Sequence, residues 1–209
     1  MITTQAMRTL ETQAEQRGIT TQYLMEQAGR GVVKAIDSKY GIAGKKFLIV
    51  CYHGSNGGDG FVAARLLVGM QEEVTVLFLG DEAKLKSAAV ENFRALKFLD
   101  KEHNFVHYAP EGIDYDSYDI IIDAILGSGA HGTLDGMLLD AVQAINNSPA
   151  LVVSIDVPTG IDPDTGNRTN ANIDADLIVC LHDIKKGLVV LQDKVMIADI
   201  GLPHEKNNC

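Results

Sequence analysis

The chain has 209 residues, of which 46% are hydrophobic, and a formal net charge of −10 at neutral pH. This length and apolar content predict one large domain with a substantial core. The negative charge argues against nucleic acid as a partner, because surfaces rich in Lys and Arg bind phosphate backbones. Two of the three cysteines lie in apolar strand-like runs, which predicts buried reduced thiols. The absence of a recognisable signal peptide or long apolar run predicts a cytoplasmic protein without membrane contact.

The predicted elements begin with two helices in the first 40 residues, the first capped by Thr3 or Thr4 and the second by Thr20 or Thr21. Strands are then predicted at 47–51, 74–79, 105–108, 119–125, 151–156, 175–181 and 195–199, and helices at 61–69, 85–96 and 134–145. Nearly continuous Val, Ile and Leu strands indicate that helices cover both faces of the sheet. The prediction is a single α/β domain, 1–209. It has a three-layer, doubly wound, Rossmann-like and mostly parallel sheet at 45–203, with an N-terminal helical extension at 1–40.

The most informative segment is 53–60, His-Gly-Ser-Asn-Gly-Gly-Asp-Gly, between the first predicted strand and the following helix. Glycine permits unusual backbone angles and a close approach to a ligand, and free N–H groups at a helix N-terminus bind phosphate. A tight strand-to-helix turn is the alternative, but two polar side chains among the glycines favour ligand binding. We therefore expect backbone N–H groups here and at 127–133 to hold phosphates, with little help from Lys or Arg.

Two further loops follow later strands. Gly127-Ser-Gly-Ala-His-Gly132 matches the G-x-G-x-x-G pattern of nicotinamide-dependent dehydrogenases, but it lies on a late strand–helix unit, so the match is weak. The segment Asp156-Val-Pro-Thr-Gly160 begins a third loop that is rich in turn residues. In an open α/β sheet all three loops meet at the carboxyl edge, where ligands bind.

Acidic residues accumulate at this predicted edge: Asp59, Asp123 and Asp156. Each could be a helix cap or a turn former, but three together repel one another unless a pKa rises or a cation lies among them. The donors there are oxygens, including those of Asn56, Asp123 and Thr159. Oxygen donors without a His/Cys cluster favour a hard cation and argue against zinc.

This combination of motifs resembles the YjeF N-terminal domain family, the NAD(P)HX epimerases. The resemblance extends over nearly the whole chain, from the second helix to the last few residues. It is carried by Leu24-Met-Glu-Gln-Ala-Gly29, Gly54-Ser-Asn-Gly-Gly-Asp-Gly60, Asp123-Ala-Ile-Leu-Gly-Ser-Gly129, Ile155-Asp-Val-Pro-Thr-Gly-Ile-Asp162 and Ile200-Gly-Leu-Pro203. Their order and spacing make the set far more specific than any one motif.

The resemblance implies a Rossmann-like dimer that interconverts the R and S epimers of hydrated NADH or NADPH. It also implies functional pairing with a separate ADP- or ATP-dependent dehydratase that repairs the S epimer. A potassium ion is implied at Asn56, Asp123 and Thr159. The implied substrate contacts are Ser55, Asn56, Gly57, Gly58, Asp59, Gly127, Ser128, Gly129, Ala130, His131, Gly132, Thr133 and Asp156. Because the chain ends soon after Pro203, epimerase chemistry alone is expected.

The chain departs from the family at three places. Ser55 replaces the usual first Asn, and Thr159 replaces the common Ser but keeps its hydroxyl. A Lys that many members carry in the second loop is missing, which leaves His131 as the only titratable residue between Gly127 and Thr133.

The catalytic candidates are Asp156 and, in reserve, His131. Epimerisation at carbon six of the hydrated ring requires a bond to break and re-form on the other face, with proton transfer to oxygen or nitrogen. A carboxylate can serve as general acid/base and stabilise the positive charge that develops, although Asp156 could instead cap the turn that follows it. Two alternatives remain: a binding or scaffold module of the same fold, and a nicotinamide-dependent dehydrogenase. Residues 5–40 are expected to help form a homodimer.

Overall fold

The computed structural model describes residues 1–100, 106–129 and 132–203. The strands within these ranges are β1 (Lys46–Cys51), β2 (Glu73–Phe78), β3 (Val106–His107), β4 (Ile120–Ala124), β5 (Leu151–Ile155), β6 (Leu177–Leu181) and β7 (Val195–Ala198). The α-helices are α1 (Thr4–Gln16), α2 (Thr21–Tyr40), α3 (Ser55–Gly69), α4 (Ser87–Asp100) and α5 (Gly136–Asn147). Short 3₁₀ segments occupy Glu82–Lys84, Tyr115–Ser117 and Lys186–Lys194. No described helix is both long enough and apolar enough to cross a membrane.

The described strands form one parallel sheet in the order β3-β2-β1-β4-β5-β6-β7. Strand β1 pairs with both β2 and β4. Strands β2 and β3 therefore extend the sheet on one side of β1, and β4 to β7 extend it on the other. In such a sheet the carboxyl ends of the two central strands flank a crevice, which is the usual ligand site. The predicted doubly wound class is confirmed.

Helices cover both faces of the sheet, which explains its apolar strands. Alternate residues of β1 point to opposite sides: Phe47, Ile49 and Cys51 pack in one apolar cluster with α2, α3 and α4. Leu48 and Val50 pack in the other cluster with α5. Every one of these strand side chains is fully buried. Burial on both faces is the condition under which parallel strands lose alternation of polar and apolar residues.

The N-terminal helices begin at threonines, as predicted. The side chain of Thr3 accepts a hydrogen bond from the N–H of Ala6, and that of Thr20 accepts one from Tyr23. Helix α2 lies against α3 and also contacts β6 and β7. Its apolar residues belong to the main core cluster, so in packing terms α2 is part of the sheet's helical layer.

Helix α3 begins at Ser55, so the prediction of a loop through residue 60 and a helix from 61 was wrong. Its glycines permit close packing rather than unusual backbone angles. A Cβ atom at Gly57 would lie 1.8 Å from the carbonyl oxygen of Tyr52, and one at Gly60 would lie 2.6 Å from the Cβ of Ala124. None of the glycines at 54–60 has a positive φ. The first turns of α3 therefore rest directly on the sheet.

Candidate active site at the switch between the two halves of the sheet

A cavity of about 520 Å³ lies at the carboxyl ends of the central strands. Its walls include 52–56, 125–129 and residues of α1 and α2. Seven of the predicted substrate contacts line it: Ser55, Asn56, Asp59, Gly127, Ser128, Gly129 and Asp156. The topology thus brings together residues from three separate loops. Its volume falls in the range of sites for small molecules and cofactors, roughly 300–1,000 Å³.

The other predicted contacts that the structure describes do not line this cavity. Gly57 and Gly58 are buried inside α3, where a Cβ atom at Gly58 would meet the side chain of Met25 at 2.5 Å. Gly132 lines a smaller neighbouring cavity of about 110 Å³, and Thr133 is exposed. Ala130 and His131 lie outside the described residues. The substrate and catalytic roles of all these residues stay predictions.

Beneath the cavity, Asp123 is fully buried in β4 and accepts hydrogen bonds at both carboxylate oxygens. Its Oδ2 accepts from Ser154 Oγ at 2.8 Å and from the backbone N–H of Thr159 at 2.9 Å. Its Oδ1 accepts from Thr159 Oγ1 at 2.7 Å and from the N–H of Ile125 at 3.2 Å. Burial raises the pKa of Asp123, and these hydrogen bonds oppose the rise because they stabilise the ionised form.

In contrast to the fully hydrogen-bonded Asp123, the buried side chain of Asn56 lacks a hydrogen-bond partner for either of its polar atoms among the described residues. Its carboxamide lies beside the second loop, since a Cβ atom at Gly127 would lie 3.1 Å from its Cγ. Buried polar groups are almost always satisfied, so an orphaned amide points to a missing ligand, ion or water. The described residues contain no group of three or more His, Cys, Asp and Glu side chains suited to a metal.

Asp156 follows β5 and lies on the cavity wall with only 7% of its surface exposed. Its φ of +65° is in the left-handed region, which non-glycine residues rarely adopt and which is common at functional sites. Its Oδ1 lies 2.5 Å from Nζ of Lys185 and accepts a 3.3 Å hydrogen bond from the N–H of Leu181.

The sequence reasoning missed Lys185. Its side chain is fully buried and its Nζ also donates to the carbonyl oxygen of Leu181 at 2.8 Å. A signal was available: Lys185 follows the end of β6 by only a few residues, so it lies at the same sheet edge as the three aspartates. The resulting ion pair has the Asp156 carboxylate at the cavity and the ammonium in the protein interior.

Asp59 lies in the second turn of α3, and 7% of its surface is exposed. Burial raises its pKa well above the usual range, and the charges of Asp156 and Glu11 add to the rise, while Lys185 opposes it. Burial thus drives Asp59 toward its protonated form, while Asp156 is ion-paired with Lys185. Two carboxyl groups held in such different surroundings can take different roles at an acid/base site.

Comparisons with known proteins agree with this architecture. The sequence model of the family described as "YjeF-related protein N-terminus" matches residues 21–187. A protein of Nitrosopumilus maritimus named NAD(P)H-hydrate epimerase is 31% identical, with 98% of this chain and 96% of that protein covered. One of the same name from Elusimicrobium minutum is 30% identical, with the same coverage.

Other relatives are longer. A bifunctional NAD(P)H-hydrate repair enzyme of Methanopyrus kandleri is 37% identical over 97% of this chain, but the chain spans only 42% of that enzyme. A yeast protein of known crystal structure has the same fold, with a TM-score of 0.82 and 23% identity, covering 94% of this chain and 86% of its own. The family match includes the strands and loops that build the cavity and ends two residues beyond Lys185. This chain belongs to the YjeF-related protein N-terminus family.

Proposed function

We propose that the chain is an NAD(P)H-hydrate epimerase, an isomerase that interconverts the R and S epimers of hydrated NADH and NADPH. The observation that carries this proposal is Asp156: a strained, ion-paired carboxylate on the wall of a cavity bordered by both glycine segments. Relatives named for this activity have about the same length as the chain and align with it almost end to end.

The chemistry needs proton transfer and stabilisation of positive charge near the hydrated ring. Either route from one epimer to the other passes through a cationic, iminium-like species or a ring-opened aldehyde. The carboxylate of Asp156, paired with Lys185, suits the developing positive charge. The carboxyl of Asp59, whose raised pKa favours the protonated form, suits proton donation to a leaving hydroxyl. His131 remains the second candidate for the general acid/base.

A potassium ion held by Asn56, Asp123 and Thr159 is part of the proposal. The amide oxygen of Asn56 lacks a partner among the described residues, which supports a ligand of this kind beside it. All three side chains offer oxygen donors, and a single carboxylate suits a monovalent hard cation better than zinc. When bound, the ion would supply fixed positive charge that offsets the buried carboxylate of Asp123.

The proposed partners follow from the same relatives. Several are bifunctional repair enzymes that are more than twice as long as this chain, so we expect a dehydratase to act on its product. The homodimer formed with residues 5–40 and the cytoplasmic location are further proposals. Sedimentation of the protein at micromolar concentration tests the first, since a monomer there would overturn it.

The direct test follows the hydrate epimers by chromatography. Purified R epimer of hydrated NADPH is incubated with and without the protein, and the S epimer should appear much faster with it. A scaffold module would leave the spontaneous rate unchanged. A dehydrogenase would oxidise NADH in the presence of some substrate, whereas the epimerase leaves NADH alone. An epimerisation rate equal to the spontaneous rate at every potassium concentration tried would contradict the proposed function.

A further inference from the structure

Helix α1 forms one wall of the cavity although the family match begins only at residue 21. Its start is held from two sides. Thr4 donates to Asp164 from its N–H at 2.8 Å and from its hydroxyl at 2.6 Å. Ile2 bonds to the segment that carries Lys185, since its N–H donates to the carbonyl oxygen of Ile184 at 2.9 Å. Met7 packs in the main core cluster, so the helix lies in a defined position.

The exposed side of α1 that faces the cavity carries Arg8 and Glu11. Positions three apart are neighbours on a helix surface. The pKa of Glu11 is raised because surrounding groups remove its carboxyl from water, and the charge of Asp156 adds to the rise. Lys185 and Arg8 oppose it. Both side chains of α1 therefore belong electrostatically to the same site as Asp156.

The guanidinium of Arg8 makes no hydrogen bond or ion pair with any other residue in the described part of the chain. It lies against the second glycine loop, where a Cβ atom at Gly129 would be 3.7 Å from its Nη2. An arginine has five donors in a fixed fork that matches phosphate oxygens. An unpaired arginine beside a loop of backbone N–H groups is suited to an anion.

The cation of Arg8 contrasts with the acidic residues that line the rest of the cavity. Asp59, Asp156 and Glu11 line it, and Lys185, which pairs with Asp156, is buried behind that carboxylate. A dinucleotide brings at least two phosphate charges, which the carboxylate of Asp156 repels. The phosphates are therefore expected on the side where Arg8 meets 127–129.

Resting on the proposed epimerase function, we propose that Arg8 is a ligand-binding residue whose guanidinium pairs with the pyrophosphate of the dinucleotide against the 127–129 loop. This amends the expectation that phosphates are held by backbone N–H groups with little help from arginine. Because Arg8 touches the phosphates and not the ring, its removal should weaken binding and leave the chemical step nearly intact.

The test measures binding of ADP-ribose, which has the pyrophosphate but no nicotinamide, by calorimetry, and KM and kcat for the hydrate. Arg8→Gln should raise both Kd and KM roughly 10- to 100-fold with kcat within about twofold, as expected for lost hydrogen bonds to a charged group. Arg8→Lys, which keeps charge but loses the fork, should lie between. Arg17→Gln is the matched control: it removes the same charge from the exposed end of the same helix, away from the cavity.

The inference is overturned if Arg8→Gln and Arg17→Gln bind ADP-ribose as the parent does, or if the parent fails to bind it at millimolar concentration. A fall in kcat with unchanged KM would also overturn it. Binding of ADP-ribose that depends on Arg8 in a parent without epimerase activity would contradict the proposed function and leave this inference standing.

Discussion

Asp123 lies in β4 and Asp156 directly follows the neighbouring β5, yet the surroundings of the two carboxylates differ completely. Asp123 has no exposed surface and four hydrogen bonds from the chain's own donors. Asp156 reaches the cavity, has a left-handed backbone and is paired with a buried lysine. The comparison teaches that a carboxylate's role at this edge depends on which distant segment reaches it. Thr159 hydrogen-bonds to both carboxylate oxygens of Asp123 and so fixes it within the fold. Lys185 contacts Asp156 from the protein interior and leaves the other side of that carboxylate facing the cavity.

The largest effect is expected from Lys185→Met. The substitution leaves the Asp156 carboxylate buried without its partner, and breaking a buried pair in this way typically costs about 3–5 kcal/mol. Urea denaturation measures the change in the free energy of unfolding. Lys186→Met is the matched control, because Lys186 is the exposed neighbour and should have little effect. Equal stabilities for the two variants would show that the pair does not hold this edge together.

A smaller effect is expected from the cation proposed beside Asp123. Ligand at about 100 times its Kd stabilises the native state by about 2.7 kcal/mol, a melting shift of several degrees for a chain of this size. The shift caused by ADP-ribose should be larger in potassium than in potassium-free buffer. Asp123→Ala should lose that difference, while Asp135→Ala, an exposed aspartate, should keep it. Equal shifts for the parent in the two buffers would count against the ion.

The pH dependence of stability tests the raised pKa of Asp59. Since its pKa is raised in the folded state, the folded protein binds a proton that the unfolded chain releases at lower pH. Its contribution is thus fully present below the ordinary pKa of Asp and is lost as pH rises toward the folded pKa, by up to about 1.4 kcal/mol per pH unit. Asp59→Asn should therefore gain stability relative to the parent as pH rises. Parallel urea midpoints for both proteins across that range would refute the assignment.

The layout of the sheet and the three loops was predictable because it depends on local sequence patterns: apolar runs for the strands and glycine-rich or turn-rich segments for the loops. Apolar runs indicated the strands that the structure describes, and their carboxyl ends pointed to Asp123 and Asp156. The start of α3 was missed since glycines at 57, 58 and 60 signal a loop locally, whereas tertiary packing against Tyr52 and Ala124 requires them in the helix.

Lys185 and Arg8 could not be predicted from the sequence because tertiary packing determines where their side chains lie. Lys185 and Arg8 belong to no motif. Each is positioned because another segment holds its backbone: Ile2 bonds to 184–186, and Thr4 bonds to Asp164. The position of Lys185 after β6 indicates this edge of the sheet, but its pairing with Asp156 has no signature in the local sequence. A single sequence shows which edge holds the site but not which side chains complete it.

The proposed mechanism assigns the chemical step to Asp156 and not to Asp123, and the turnover of Asp156→Asn distinguishes the two. Asparagine keeps the shape, tolerates the left-handed backbone and can still accept the hydrogen bond from Leu181. Its kcat for epimerisation of hydrated NADPH should fall about 10²–10⁴-fold, while ADP-ribose binding stays close to that of the parent. Turnover near the parental rate would contradict a catalytic role for Asp156. The proton would then have to be moved by His131 or by solvent.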